Sequence, residues 1–135
     1  MIARLLVVGL LLGHGLIHAA YLAPHPPVTA GGPAWPFQLG HSWLLGSLGM
    51  PAETNRVIGL GLVTLTIAGF GLAAVAALGI APAALWAPAI AVGAAASLGL
   101  LVVFFHPWLA LGVAIDIALL WVALIIGWTP GQLPR

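Results

Sequence analysis

Residues 57–105 read VIGLGLVTLTIAGFGLAAVAALGIAPAALWAPAIAVGAAASLGLLVVFF, without one Asp, Glu, Lys or Arg. A hydrocarbon core of about 30 Å is crossed by about 20 helical residues at 1.5 Å rise, so this stretch is too long for one crossing. It is broken at Ala81-Pro82, where a helix cannot continue through the proline. The reading is a helical hairpin: two antiparallel spans, Val57–Ala81 and Ala83–Phe105, joined by a tight connection. Pro88 either begins the regular part of the second of these or kinks its first turn.

The same criterion finds one span before the hairpin, Ile2–Leu22, and one after it, Trp108–Trp128, which meets its predecessor across His106-Pro107. The expected fold is an all-α integral membrane protein, a four-transmembrane-helix bundle making a single transmembrane domain of residues 1–135. The competing reading of Ile2–Leu22 is a cleaved signal peptide, since Arg4 precedes the apolar run; the run is about twice a typical signal core, which favours a span. The long connection, residues 23–56, carries Pro24, Pro26, Pro27, Pro33, Pro36 and Pro51 and is mostly non-helical. Within it Phe37–Leu48 is apolar but too short to span, and is expected as an interfacial or re-entrant segment. Glu53 to Arg56 supply capping groups where the next span starts.

Composition agrees. Of 135 residues 63% are apolar and 4% charged, with mean hydropathy +1.23; soluble domains carry about a quarter charged residues. Lipid is therefore the surrounding partner, and a soluble enzyme, a disordered chain and a nucleic-acid binder are excluded. The absence of cysteine removes disulfides, thiolate metal sites and thiol catalysis. Arg4 and Arg135 fall on one side and Arg56 with Glu53 on the other, so the positive-inside rule puts both termini in the cytoplasm, in a bacterial inner membrane. Trp35, Trp43 and Trp108 then mark the outer interface and Trp86 and Trp128 the inner one, while Trp121 sits deeper and needs a partner for its N–H. Helix contacts are expected at small residues: Gly9 and Gly13, the ladder Ala89, Gly93, Ser97, and Gly112. His25-Pro26 and His106-Pro107 hint faintly at a repeat.

Ionisable groups inside a span are a functional hypothesis by default, and three lie well inside: His14, His18 and Asp116. His14 and His18 stand one turn apart on one helix face. Counting from Pro24 and Pro107 puts His14 at ~15 Å and Asp116 at ~13 Å from the same end, nearly one level. His41 and His106 also fall in the outer half. The plain account is a buried polar network that fixes helix register. The first functional reading is a transition-metal ion, Zn, Cu or Fe, on His14, His18 and Asp116, completed by His41 or His106. A haem or chlorin on His14 is a lesser reading: Gly13 and Gly15 would bare the backbone beside it and Arg56 would pair with propionates. The role would be redox, metal handling or cofactor delivery. The alternatives are a non-catalytic accessory subunit of a larger membrane complex or a homo-oligomer, and a carrier of protons or of a hydrophobic small molecule. A triad through Ser42, Ser47 or Ser97 is rejected, because Ser97 belongs to the small-residue ladder and no nucleophile-elbow motif surrounds Ser42 or Ser47. Thr64 and Thr66 are expected to bond back to their own helix.

Overall fold

The computed structural model describes residues 1–24 and 35–132; His25-Pro26 and Arg135, which carried expectations above, lie outside them. The described residues are helical with no strand, and four helices are long and apolar enough to cross a membrane: Ile2–Leu22, Ala52–Ala77, Ala83–Val103 and Pro107–Ile125. The chain is a membrane-spanning four-helix bundle. Its regular elements are α1 (Ile2–Ile17, tightening to a 3₁₀ turn over His18–Leu22), α2 (Trp43–Ser47), α3 (Ala52–Ala77), α4 (Trp86–Val103) and α5 (Ala110–Leu120, continued by a π-helical turn, Trp121–Ile125). The end of the bundle that carries residues 35–51 is called the loop end below, the opposite one the termini end.

The boundaries of the hairpin are set by backbone chemistry more than by hydropathy. α3 starts at Ala52, five residues before the apolar run, because Pro51 takes the extended N-cap position and its carbonyl accepts from Asn55 N–H at 3.1 Å. Glu53 falls in that first turn, favourable for the helix dipole. α3 ends four residues early. Gly79 takes φ +78°, and Gly79 N–H and Ile80 N–H reach back to the carbonyls of Ala76 and Val75 at 3.0 and 3.1 Å, a Schellman stop. Pro88 is the third residue of α4, where its missing N–H would have no helical acceptor, so it belongs to the first turn and breaks nothing. α4 stops at Val103, two residues short of expectation. There the carbonyls of Val102 and Val103 accept from Trp43 Nε1–H at 2.7 Å and Ser42 Oγ–H at 2.5 Å. Leu39 meanwhile seats on Gly59 of α3, so residues 35–47 rest across the loop end instead of entering the bundle.

α3 and α4 form the centre. A Cβ on Gly69 would lie 2.5 Å from the backbone nitrogen of Gly93, so only glycine permits this crossing. Gly93 was expected in the contact, whereas Gly69 was not read. α1 packs on α3, where Gly15 meets Phe70, and α5 packs on α4, where Gly112 meets Leu101. Gly9 and Gly13 correct the expectation of a helix contact, since a Cβ on either would meet nothing within 4 Å. α1 and α5 touch only sparsely and face each other across a cleft. At the termini end Trp86 Nε1–H donates to the Trp128 carbonyl at 3.0 Å and the two rings pack edge to face. Trp121 is 58% exposed and points out of the bundle.

Candidate functional site

His14, His18, Ser97 and Asp116 form one hydrogen-bonded chain across three helices. His18 opens the 3₁₀ turn that continues α1, and its Nδ1 stands 2.9 Å from the carbonyl oxygen of His14. A carbonyl only accepts, so Nδ1 carries the proton and Nε2 of the neutral ring is an acceptor. Ser97 Oγ–H of α4 donates to that Nε2 at 2.9 Å. His14 Nε2–H donates to Asp116 Oδ1 of α5 at 2.8 Å. Asp116 and Ser97 are fully enclosed, and His14 and His18 retain only 8% and 2% exposure. The two imidazoles meet edge to face at 5.4 Å, and Phe70 holds His14 from α3 at 5.2 Å.

Two atoms of this chain have no hydrogen-bond partner among the described residues, His14 Nδ1 and the buried Asp116 Oδ2. With the carboxylate accepting a hydrogen bond from Nε2–H, neutral His14 offers Nδ1 as an acceptor; as imidazolium it offers a donor there. The ring lines a pocket of about 360 Å³ between α1 and α5 at the loop-end half of the cleft. His18 lines it too, and the remaining walls are apolar, including Ile17, Phe37, Leu101, Trp108 and Ile115. Beyond Ile115, toward the termini end, the same two helices bound a second, wholly apolar cavity of about 500 Å³ that includes Leu11, Trp86 and Trp128.

The expected site residues divide into groups. His14, His18 and Asp116 are brought together, as a relay of hydrogen bonds and not around a common point. Among the described residues no three His, Asp or Glu side chains gather as a metal-ligand set. His41 and His106 line a separate pocket at the loop end with Trp35 and Gln38, and His106 Nδ1 is engaged by Trp108 N–H at 3.3 Å. Gly13 faces outward and the Cβ position of Gly15 is filled by Phe70, so neither borders the cleft; Arg56 lines a different pocket beside Tyr21. Ser97 was read only as a member of the small-residue ladder, and its bond to His18 was missed. Counting back from Pro107 as was done for Asp116 would have found it, since Ser97 lies ~15 Å from that end, within about a turn of both histidines. Thr64 bonds back to Leu60 at 2.8 Å as expected, whereas Thr66 Oγ1 is buried without a partner among the described residues.

Protein-family models, curated proteins and solved structures were all searched, and none matches this chain. The functional reading rests on the site itself.

Proposed function

We propose that this membrane protein binds a lipid-soluble small molecule bearing a hydroxyl or carbonyl group, in the cleft between α1 and α5, with His14 as its polar contact. The observation that carries the reading is the otherwise apolar pocket of about 360 Å³ lined by both imidazoles. Binding sites for small molecules have this character, apolar walls with one or two placed polar groups. His14 Nδ1 accepts from a ligand hydroxyl when the ring is neutral and donates to a ligand carbonyl when it is protonated. Asp116 fixes the ring orientation through Nε2, and the His18–Ser97 bond anchors the helix turn that follows. Access is lateral, from the lipid, because α1 and α5 are not packed together along the cleft.

Metal coordination by the same residues would have to break this chain, since three of the four imidazole nitrogens already hold partners. The discriminating experiment is native mass spectrometry with elemental analysis on protein extracted with its lipids. The expected result is a non-phospholipid adduct at about one per chain, absent from a His14→Phe variant that still unfolds cooperatively. Stoichiometric Zn, Cu or Fe without such an adduct would overturn the reading in favour of a metal centre. Recovery of neither adduct nor metal, with the chain bound to other membrane subunits, would favour an accessory role. We also propose, on the positive-inside rule, that both termini lie in the cytoplasm; in this cysteine-free chain, Glu53→Cys should react with an impermeant maleimide from outside, and Thr129→Cys should not.

A further inference from the structure

Asp116 stands midway along the span Pro107–Ile125 and His14 near the middle of Ile2–Leu22, so the pair that joins α5 to α1 lies at mid-span. An ionised carboxylate at that depth is costly unless a cation accompanies it. Arg4 is held at the termini end by the Pro130 carbonyl, Arg56 lines a pocket at the loop end, and no Lys or Arg occurs between residues 57 and 134. Among the described residues, the group placed to neutralise Asp116 is therefore the imidazole that it meets at 2.8 Å.

Neutrality of the pair fixes where its protons sit. With His14 Nε2–H donating to Asp116 Oδ1, the compensating cation is the imidazolium, whose second proton is on Nδ1. Passing the shared proton to Oδ1 leaves the Nδ1 proton in place. The remaining choice, a proton on Oδ2, would bury an O–H without an acceptor, because that oxygen is enclosed and has no partner among the described residues. Nδ1 is thus a donor in both surviving forms. Unlike Oδ2 it is unpartnered without being enclosed, so it keeps accessible surface where the ring lines the cleft pocket. The other polar side chains of that wall offer no free acceptor. His18 engages both nitrogens, with the His14 carbonyl and with Ser97, and the Trp108 indole N–H only donates.

A wall with donors and no free acceptor calls for a ligand that accepts. An anionic group would bring a second uncompensated charge to mid-span. A hydroxyl can accept from Nδ1–H, but its own O–H is then left unpaired among apolar walls. A carbonyl accepts and brings no donor. We infer that the ligand of the cleft is an uncharged lipid bearing a carbonyl, whose oxygen accepts from His14 Nδ1–H, a conclusion that rests on the cleft reading above and narrows its hydroxyl-or-carbonyl choice to the carbonyl.

The test uses the full wild-type chain, labelled with ¹⁵N-histidine, in phospholipid nanodiscs at neutral pH. The His14 signals are recognised by their proximity to the Phe70 ring, so no substituted protein has to fold. NMR first reads whether Nδ1 bears a proton, then follows that nitrogen while 2-hexadecanone, 2-hexadecanol or hexadecane is titrated into the bilayer. The expected result is a protonated Nδ1, moved by the ketone with a midpoint at about tenfold lower mole fraction than by the alcohol, and unmoved by the hydrocarbon. An Nδ1 without a proton, moved by the alcohol at the lower mole fraction, overturns the inference alone, because His14 then still contacts a ligand as an acceptor. Equal midpoints for ketone and alcohol also overturn the carbonyl preference and leave the cleft reading standing. A signal that neither probe moves more than hexadecane does overturns both.

Discussion

Because α1 and α5 scarcely pack, the His14–Asp116 bond is the main tie across the cleft, and a double-mutant cycle measures it. His14→Phe and Asp116→Leu replace each partner by an apolar side chain, singly and together. Two magnitudes compete. Hydrogen bonds between membrane helices average only about 0.6 kcal/mol and reach about 1.7. Breaking one side of a buried charged pair costs about 3–5 kcal/mol in water-soluble proteins, because the survivor is left unpaired. Asp116 is completely enclosed and already has one oxygen without a partner, so losing His14 leaves a carboxyl group with neither oxygen bonded. His14 is better placed to survive alone, since its ring borders the cleft. The expected costs are about 2.5 kcal/mol for His14→Phe, about 1 for Asp116→Leu and about 1.5 for the double variant, leaving a coupling of about 2 kcal/mol. The assay is reversible unfolding in mixed detergent micelles with increasing SDS, followed by circular dichroism. Single costs that add to within about 0.5 kcal/mol would refute the contact, and with it the arrangement of α5 against the histidine face of α1.

Three further outcomes follow from the packing. Gly69→Val should cost at least about 3 kcal/mol, because the added carbon meets rigid backbone of Gly93 and Ala89, whereas Gly13→Ala should stay within about 0.5; thermal unfolding in detergent compares the two. Ser97→Ala should cost about 1–2 kcal/mol by leaving His18 Nε2 buried without its donor, while Ser97→Thr, which keeps the hydroxyl, should recover part of that in the same assay. Trp43→Phe removes the N–H that caps the Val102 carbonyl, and hydrogen exchange over residues 43–47 should rise about fivefold with α3 unchanged.

The number of spans was legible because it depends on length and polarity alone, and neither is altered by packing. The ends of the spans were less so. Residues 52–56 are polar enough to look like a cap outside the helix, but Pro51 and the backbone bond to Asn55 fold them into it. Gly79 stops α3 while the chain is still apolar, a decision made by a positive φ and not by hydropathy. In the interior, depth counting brought His14 and Asp116 to one level, and the structure joins them. It could not say which way each imidazole turns, and that orientation converts a ligand-like spacing into a relay of hydrogen bonds. GxxxG on α1 was read as a contact because small residues permit close approach; permission is not contact, and here the partner glycines are Gly69 and Gly93.

The open cleft has a different physical meaning in lipid than it would in water. A water-soluble bundle with cavities of this size between two helices would close them, gaining about 25 cal/mol for each Å² of apolar surface removed. In a membrane the acyl chains already cover that surface, so helices gain little by closing and a groove between them costs little to keep. The apolar chamber bounded by Leu11, Trp86 and Trp128 is therefore what any lipid tail would fill, and its volume alone says nothing about a ligand. The chamber next to it differs by one feature, an imidazole whose Nδ1 has no partner among the described residues, placed where lipid tails offer none. His14, and not the space, is thus what would select a ligand. A His14→Phe variant separates the two, because lipid tails would continue to occupy the cleft while a molecule recognised by its hydroxyl or carbonyl would be lost.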